Sequence, residues 1–437
     1  MRPHPAAARP ARRPALVAFV LLSLGAPGLA ERPSDQSTPA ARAPAPVRTL
    51  LDRTLRETTA RVVRIDRTGV WFTVPGEPPA QAPRVRPLTE LVAMVSAEHV
   101  RGPRLDDADE RPLLTVTLAD GQRLIGRVAR EPEGTTPDSA SSKDAPLTLD
   151  TALGTVRIAL DVVAGVTVSG SSGVSVGVSP SLGGEAPKKD VVLLRNDDRM
   201  EGFVEAIGAT VVVQPEGAAS ANVPLERIRE ITLANPRTAP RGAIAWLADG
   251  SVIRITDLAQ AVDAPATATV PILGKDSPTP LPGVVSIAFD ASRLTPLARL
   301  VPTQVRPSLD RRWTRSPRPL PGPAVLDAPD LELPGPMSVE WDLPERAVRL
   351  AGEAELSRFT DNWGDCTISI ELSSGAAPRR LWTQRLSGSG ASARFNIDLG
   401  APAPGRHLRL VLESGSRGPI QDRVILRRPL LLLEGAR

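Results

Sequence analysis

The sequence contains no tyrosine and a single cysteine, Cys366, in 437 residues. A lone cysteine excludes an internal disulfide, and a chain of this length can bury a sufficient core without one. Histidine is also scarce, since only His4, His99 and His407 are present and they are far apart in the sequence. No phosphate-binding loop and no zinc-ligand spacing occurs. The sequence therefore predicts a protein that is not an enzyme and has no bound metal or cofactor that catalysis requires.

The N-terminus combines a basic segment with a short apolar run, which is typical of a secretory signal. The run Ala15–Leu24 is shorter than the roughly 20 residues that a membrane span needs, and the small residues Gly28 and Ala30 fit a cleavage site. We predict a signal peptide over 1–30 and a secreted or periplasmic mature chain without a transmembrane span. Removing this segment takes away four arginines and no acid, so the net charge of +4 falls to zero. A neutral chain gives no electrostatic reason to expect a nucleic-acid partner.

One apolar pattern occurs four times before residue 290. In each copy a leucine is followed by apolar residues three and six positions later, as in Leu225, Ile228 and Ile231. The other copies contain Leu88, Leu91 and Met94; Leu160, Val163 and Val166; and Leu281, Val284 and Ile287. A spacing of three places two side chains on one side of a single helical turn, and the apolar residues that follow alternate as in a half-buried strand. The pattern predicts one tight turn followed by a strand.

Alternating segments before each copy predict further strands. In the second copy the hairpin signal Asp120-Gly121 separates Leu114–Leu118 from Leu124–Val128, and Gly126 is expected where a small barrel bends sharply. The segment Asn196–Gly202 repeats this arrangement in the third copy. Five short strands with one turn before the last are the plan of small Sm-like or SH3-like barrels. Because about 50 residues is few for an independent core, we expect the units to pack together, in pairs or as an array.

The C-terminal third differs from the repeats in its proline content and in its pattern of alternating apolar residues. Pro302–Pro336 holds nine prolines, which restricts it to short edge strands, and the alternating runs beyond it predict seven or eight strands of an antiparallel sandwich. The fold class is therefore all-β, with tandem small barrels followed by a sandwich. The predicted segments are a signal peptide 1–30, a disordered spacer 31–49, β repeats 50–98 and 112–168, a flexible linker 169–189, β repeats 190–235 and 242–290, and a β-sandwich 294–433.

The sandwich segment resembles the NPCBM family, a family of carbohydrate-binding modules first linked to family 98 glycoside hydrolases. The resembling segments are Asp310–Trp313, Ser338–Pro344, Asp361–Asp365, Leu408–Leu412 and Asp422–Leu426. The resemblance implies a galactose-binding-like jelly roll that recognises glycans. It departs from the family at one place, because the family usually has a Gly-rich run ending in His before the Ser-Val strand. Here that place is Leu333–Met337, without a His.

Four of the six tryptophans lie in the last 125 residues. Sugars stack on exposed aromatic rings, and neighbouring polar side chains bind their hydroxyls. The candidate carbohydrate-binding residues are Trp363, Asn362, Asp361, Asp365, Trp313 and Arg312. A structural calcium ion is an alternative ligand for Asp361, Asn362 and Asp365, and a polar turn capped by its own side chains is the simpler interpretation. Trp341 and Trp382 lie within strands and are expected in the core.

Two functions fit these features. The first is a secreted, non-catalytic carbohydrate-binding or cell-envelope-associated protein, in which the C-terminal jelly roll recognises a polysaccharide or another glycan. The alternative is a protein-interaction scaffold of the bacterial envelope, in which the β repeats bind envelope proteins and the sandwich is structural. The absent His supports the scaffold, and the tryptophan-bearing loop at Trp363 supports glycan recognition.

Overall fold

The computed structural model describes residues 47–78, 82–96, 109–130, 146–169, 187–261, 264–308, 312–320, 325–357, 364–375, 377–388, 390–418 and 422–435. These residues form antiparallel strands joined by turns and short 3-10 segments, which confirms the all-β class. None of the helical segments described has the length and hydropathy of a membrane span. The predicted signal peptide lies outside the described residues, and so does most of the predicted linker. The first strand begins at Val47, inside the segment predicted as a spacer.

Four repeats of five strands each precede the sandwich. The first comprises β1 Val47–Asp52, β2 Glu57–Asp66, β3 Gly69–Thr73, β4 Arg84–Arg86 and β5 Leu91–Ser96. The second comprises β6 Leu113–Leu118, β7 Arg123–Val128, β8 Leu147–Thr151, β9 Gly154–Ile158 and β10 Val163–Ser169. The third comprises β11 Asp190–Leu194, β12 Arg199–Ile207, β13 Thr210–Pro215, β14 Ala221–Pro224 and β15 Ile228–Thr232. The fourth comprises β16 Ala243–Leu247, β17 Val252–Ala259, β18 Thr267–Thr269, β19 Thr279–Pro280 and β20 Val284–Ala288.

All four repeats have the same strand connectivity. The first strand pairs with the second and the fifth, the second with the third, and the third with the fourth, always antiparallel. Inward-facing Val, Leu and Ile side chains of all four repeats join in one apolar core. This is the small-barrel plan that the apolar spacing predicted.

The single turn before the last strand is present as a 3-10 segment in three repeats. These segments are Leu88–Glu90, Leu160–Val162 and Leu225–Arg227. In the fourth repeat the prediction is wrong at Leu281, which enters a turn instead, and the 3-10 segment lies earlier at Pro271–Leu273. The reason is the pair Pro282-Gly283. Gly283 adopts φ of 61°, which suits the third position of a type II turn but not a 3-10 helix.

The four repeats also share the backbone conformation of one turn, which the residue types alone do not reveal. In each repeat the turn between the first two strands contains one residue with left-handed backbone conformation. These residues, with their φ angles, are Leu55 (55°), Gly121 (84°), Asp197 (67°) and Gly250 (94°). The third apolar residue of each motif pairs with one residue of the first strand, as Met94 pairs with Leu50. The left-handed residue lies five positions after that partner, as Leu55 follows Leu50, and the same offset holds in all four repeats. The four hairpins therefore share one turn geometry although only two of them use glycine.

The repeats join through their last strands. β5 pairs with β20, with Met94 opposite Ile287, and β10 pairs with β15, with Val166 opposite Ile231. The residue at the centre of each pairing is the third apolar residue of the motif in both partners. Each contact therefore relates equivalent residues by a local two-fold axis. The first repeat is joined to the fourth, and the second to the third.

A different contact links the second repeat to the fourth. Arg123 of β7 bridges Val252 of β17, again at equivalent positions. On one side of the bridge the Gln122 side-chain oxygen accepts the backbone N–H of Arg254 at 2.7 Å, and on the other the Ser251 hydroxyl accepts that of Ile125 at 3.2 Å. The order in space is thus third, second, fourth and first, rather than the order in sequence.

The sandwich follows the fourth repeat. Its strands are β21 Leu294–Pro296, β22 Gln304–Pro307, β23 Arg318–Pro319, β24 Leu331–Pro334, β25 Met337–Asp342, β26 Ala347–Leu356, β27 Asp365–Ser373, β28 Arg379–Ser387, β29 Ser392–Asp398, β30 His407–Ser414 and β31 Arg423–Leu433. One sheet has the order β23-β24-β31-β26-β29, with β21 also on β31, and the other has the order β22-β25-β30-β27-β28. Alternate side chains of both sheets form a separate apolar core around Trp341.

The sandwich packs directly against the repeats. Leu430 and Leu432 of β31 share a buried apolar cluster with Leu51, Leu55 and Trp246 of the first and fourth repeats. Polar contacts surround this cluster. Arg394 and Arg428 bind the Glu57 carboxylate at 3.1 and 3.4 Å, and the Asn396 amide donates to the Thr54 carbonyl at 3.0 Å. The six-stranded sheet thus faces the repeats with its outer surface.

We predict that Gly202→Ala destabilises the third repeat. Gly202 lies where β12 crosses β13, and a Cβ atom there would overlap the Gln214 carbonyl oxygen; at the equivalent Gly126 the separation from Asp150 O would be 2.6 Å. Backbone cannot yield as a flexible side chain does, so the free energy of unfolding should fall by about 2 kcal/mol. Urea unfolding measures it. The control is Gly208→Ala in the same repeat, where the nearest atom is 3.7 Å from the added carbon. Equal stability of the two variants would contradict the prediction.

Candidate functional site

Asp365 is the central residue at one end of the sandwich. It is the first residue of β27 and is completely buried. Its two carboxylate oxygens accept two hydrogen bonds from the Arg385 guanidinium, each at 2.9 Å. The Ser416 backbone N–H and hydroxyl donate to the same carboxylate at 2.9 and 2.8 Å. The carboxylate is thus saturated by protein donors.

The backbone of Asp365 extends this arrangement to the neighbouring loops. Its carbonyl accepts the Gly415 N–H at 2.6 Å, and its N–H donates to the Asp422 carboxylate at 3.3 Å. The adjoining residue Gly364 accepts the N–H of Gly388 at 3.0 Å. The chain before β27, the turn after β28 and the connection between β30 and β31 are therefore tied together at one point.

These contacts shift the pKa values of Asp365 and of its neighbour Cys366 in opposite directions. The hydrogen bonds from Arg385, with those from Ser416, hold the pKa of the Asp365 carboxyl well below its usual range. The adjacent Cys366 is buried, and burial with the nearby Asp422 and Asp365 charges raises the pKa of its thiol to about 12. Cys366 therefore remains a protonated core side chain.

The predicted site residues divide into two groups. Asp361, Asn362 and Trp363 lie outside the described residues, so the glycan and calcium roles assigned to them stay predictions. Within the described part of the chain, no three His, Cys, Asp or Glu side chains converge as a metal site. Trp341 is buried in the core as expected. Trp382 is half-buried and packs against Phe395 with ring centroids 5.4 Å apart, which closes the sandwich edge between β28 and β29.

Among the aromatic residues of the sandwich that the structure describes, Trp313 is the exposed one. Its side chain is 66% exposed, whereas large apolar side chains elsewhere in the sandwich strands point into the core. The Arg315 guanidinium carbon lies 5.8 Å from the centre of the Trp313 ring, and Arg312 beside it is exposed. A ring presented in this way offers an apolar face bordered by cationic donors.

The strand register brings Trp313 and Asp365 to the same end of the five-stranded sheet. The Thr314 hydroxyl contacts the Met337 sulfur, at the start of β25, at 3.9 Å. Met337 pairs with Leu412 of β30, which lies three residues before Gly415. Because adjacent strands are about 4.8 Å apart, β25 and β27 on either side of β30 lie about 10 Å apart. Trp313 and the loops tied by Asp365 therefore border one surface.

The outer face of the five-stranded sheet carries a charged row. Glu340, Arg409, Glu371 and Arg380 lie side by side on adjacent strands. Glu371 accepts from Arg380 at 3.2 Å and lies 3.8 Å from Arg409. These charges alternate and neutralise one another, so the row stabilises the sheet and leaves no net field for a ligand.

Sequence reasoning missed Arg315, the partner of Trp313, and Arg385, the partner of Asp365. The first could have been found, because five arginines and one acid occur between Gln304 and Arg318. The second could not, because Arg385 lies on the next strand of the sheet and its register with β27 is not visible in the sequence.

Comparison with known proteins gives structural matches only. No protein-family model matches the chain, and no curated protein matches it. CBM51 from Clostridium perfringens GH95, in complex with methyl-galactose, is 10% identical, with 32% of this chain and 99% of that chain covered and a TM-score of 0.25. The tandem CBM51 modules of Sp3GH98, a family 98 glycoside hydrolase from Streptococcus pneumoniae, are 11% identical, with 77% and 97% covered and a TM-score of 0.26. CsCBM6-3 from Clostridium stercorarium, in complex with cellobiose, is 12% identical, with 30% and 94% covered and a TM-score of 0.18.

We predict that Asp365→Asn destabilises the protein in a pH-dependent way. The variant loses the charged acceptor of Arg385, which should lower the free energy of unfolding by about 2 kcal/mol at pH 7. Because the folded-state pKa of Asp365 is depressed, the advantage of the wild type is complete above its unfolded pKa of about 4 and shrinks as the pH falls below that value. Urea unfolding at pH 7 and pH 3 measures both effects.

Glu345→Gln is the matched control for that experiment. Glu345 is exposed, and its carboxylate has no partner in the part of the chain that the structure describes. Its replacement should change stability by less than about 0.5 kcal/mol at either pH. A loss for Asp365→Asn that does not diminish at pH 3 would show that the ion pair is not its cause.

Proposed function

We propose that the protein is an exported, non-catalytic glycan-binding protein whose sandwich recognises carbohydrate at the end that carries Trp313. The observation that supports this most directly is the exposure of the Trp313 ring, 66% free, beside two arginines. Burying a tryptophan against an apolar surface is strongly favourable, so an exposed one beside polar donors is a feature of binding surfaces. The NPCBM resemblance of the same segment points to the same ligand class.

Sugar binding requires one apolar platform and several donors and acceptors. The C–H face of a pyranose ring would stack on the Trp313 indole, and its hydroxyl groups would accept hydrogen bonds from the guanidinium groups of Arg312 and Arg315. The predicted residues Asp361, Asn362 and Trp363 directly precede Gly364 in the sequence, and in this proposal they contribute to the same site. Asp365 itself would act as a positioning residue, because its carboxylate is occupied by Arg385 and Ser416.

The repeats would serve as the support of this module. The last strands of the repeats pair with one another, β5 with β20 and β10 with β15. The sandwich shares a buried apolar cluster with the first and fourth repeats. The sandwich is consequently held at one end of the array, with its six-stranded sheet turned to the first and fourth repeats. In this proposal the repeats hold the module through its contacts with the first and fourth repeats and contribute no chemistry of their own.

We predict that Trp313→Ala abolishes glycan binding without unfolding the protein. Affinity electrophoresis of the whole chain in galactan, cellulose-derived and pectic polysaccharide gels gives the retardation, and titration calorimetry with methyl-galactose and cellobiose gives the affinity. Loss of a stacking ring should weaken binding at least tenfold, as for other buried aromatic contacts. Circular dichroism and the unfolding temperature check the fold.

The matched control is Phe203→Ala, which removes an aromatic side chain that is 53% exposed but lies on β12 of the third repeat. It should leave retardation unchanged. If the folded wild type is retarded by no polysaccharide, the glycan function is wrong. Equal loss in both variants would refute the assignment of the site to Trp313.

A further inference from the structure

Most described arginines of the sandwich donate to acidic side chains or to backbone carbonyls. Arg318 and Arg423 bind Glu332, Arg427 binds Asp330 and Glu355, and other arginines of both sheets bind acidic side chains or backbone carbonyls. Pairing of this kind is expected where acidic and basic residues are nearly equal in number, here 49 and 53, because an exposed guanidinium can then reach a nearby carboxylate. The exceptions are therefore informative.

Among the described arginines of the sandwich, four have neither an ion pair nor a side-chain hydrogen bond. They are Arg306, Arg312, Arg315 and Arg379. Three of these four lie within the ten residues 306–315, on either side of Trp313. Arg315 makes a cation–π contact with the Trp313 ring, with its guanidinium carbon 5.8 Å from the ring centre. The arginines without a partner are thus concentrated in the segment that carries the exposed aromatic ring.

This distribution suits a ligand that carries negative charge. Arg306 lies on the outer face of β22, opposite Ser338 of β25, while Arg312 and Arg315 flank the ring. Guanidinium groups bind carboxylates and sulfates through two parallel hydrogen bonds, which a neutral sugar hydroxyl cannot offer. Arg306, Arg312 and Arg315 are exposed, lie close to Trp313 in the sequence and bind no acidic side chain, so their guanidinium groups are available to the anionic groups of a ligand.

We propose that the glycan bound at Trp313 is acidic, with carboxylate or sulfate groups recognised by Arg306, Arg312 and Arg315. This inference rests on the proposed glycan-binding function and specifies its ligand class. A nucleic acid would also offer negative charge and stackable rings, but it would require a broad basic surface. The adjacent outer face of the sheet instead alternates in sign through Glu340, Arg409 and Glu371.

The test compares polymers that differ only in charge. The whole chain is titrated with polygalacturonate and with the same polymer fully methyl-esterified, and in parallel with dextran sulfate and unmodified dextran. We expect the acidic polymers to bind at least tenfold more tightly than their neutral partners. Affinity should fall as salt rises from 0.05 to 0.5 M, because the screening length for exposed charges shortens from about 14 Å to about 4 Å over that range. Binding of polygalacturonate alone would identify a carboxylate ligand, and binding of dextran sulfate alone a sulfate ligand.

Arginine variants assign the charge recognition to the site. Arg312→Gln and Arg315→Gln should each weaken binding of the acidic polymer about tenfold, as expected for loss of one charge-assisted contact. Arg379→Gln is the control, because it removes another unpaired arginine from the same sheet, on the opposite edge strand β28. It should change affinity less than twofold. Equal effects of all three variants would overturn the assignment.

The remaining outcomes separate this inference from the function on which it rests. Equal affinity for the acidic and the neutral polymers, with binding still lost in Trp313→Ala, would overturn the acidic ligand and leave glycan binding intact. No binding of any polysaccharide by the folded chain would overturn both. Tighter binding of a single-stranded oligonucleotide than of every polysaccharide would also overturn the proposal.

Discussion

The architecture depends on the satisfaction of one strand edge in each repeat. In a five-stranded unit of this connectivity the last strand pairs with the first strand on one side only, and its other edge would expose N–H and C=O groups. Here β5 and β20 satisfy each other, and so do β10 and β15. Met94, Ile287, Val166 and Ile231 at the centres of these pairings are all buried. The same strands therefore satisfy the open edges and also contribute buried side chains to the apolar core.

Much of the fold could be predicted from the sequence because it depends on local patterns. The three-six spacing after Leu88, Leu160 and Leu225 specifies a turn and a strand within ten residues, and the glycine at 126 or 202 marks the bend. The order of the repeats in space could not be predicted. All four motifs offer the same apolar pairing edge, so Met94 has no sequence signal that selects Ile287 over Val166. The turn residues Leu55 and Asp197 were hidden for another reason, since neither is a glycine although both adopt positive φ.

The candidate site likewise combines features that the sequence predicted with features that it did not. Burial of Trp341 followed from its place inside an alternating strand, whereas Trp382, also within a strand, is half-buried against Phe395. The role of Asp365 did not follow from the sequence, because its sequence neighbourhood resembles a ligand-binding turn while its carboxylate is bound by Arg385, twenty residues later. Charge neutralisation is a non-local property. It becomes visible only when strand register decides which guanidinium reaches a carboxylate, and this is why the unpaired arginines near Trp313 emerge from the structure alone.

The two kinds of contact between repeats alternate along the array: last strand to last strand, second strand to second strand, then last strand to last strand again. At the first repeat the corner formed by Thr54, Leu55 and Glu57, which corresponds to the second-strand contact, is covered by the sandwich. The second and fourth repeats thus use one surface of each type, and the sandwich covers the second-strand surface of the first repeat. Among the described strands the third repeat pairs with a neighbour only through its last strand. Its second-strand surface is therefore the place where a further barrel could be added without displacing the sandwich.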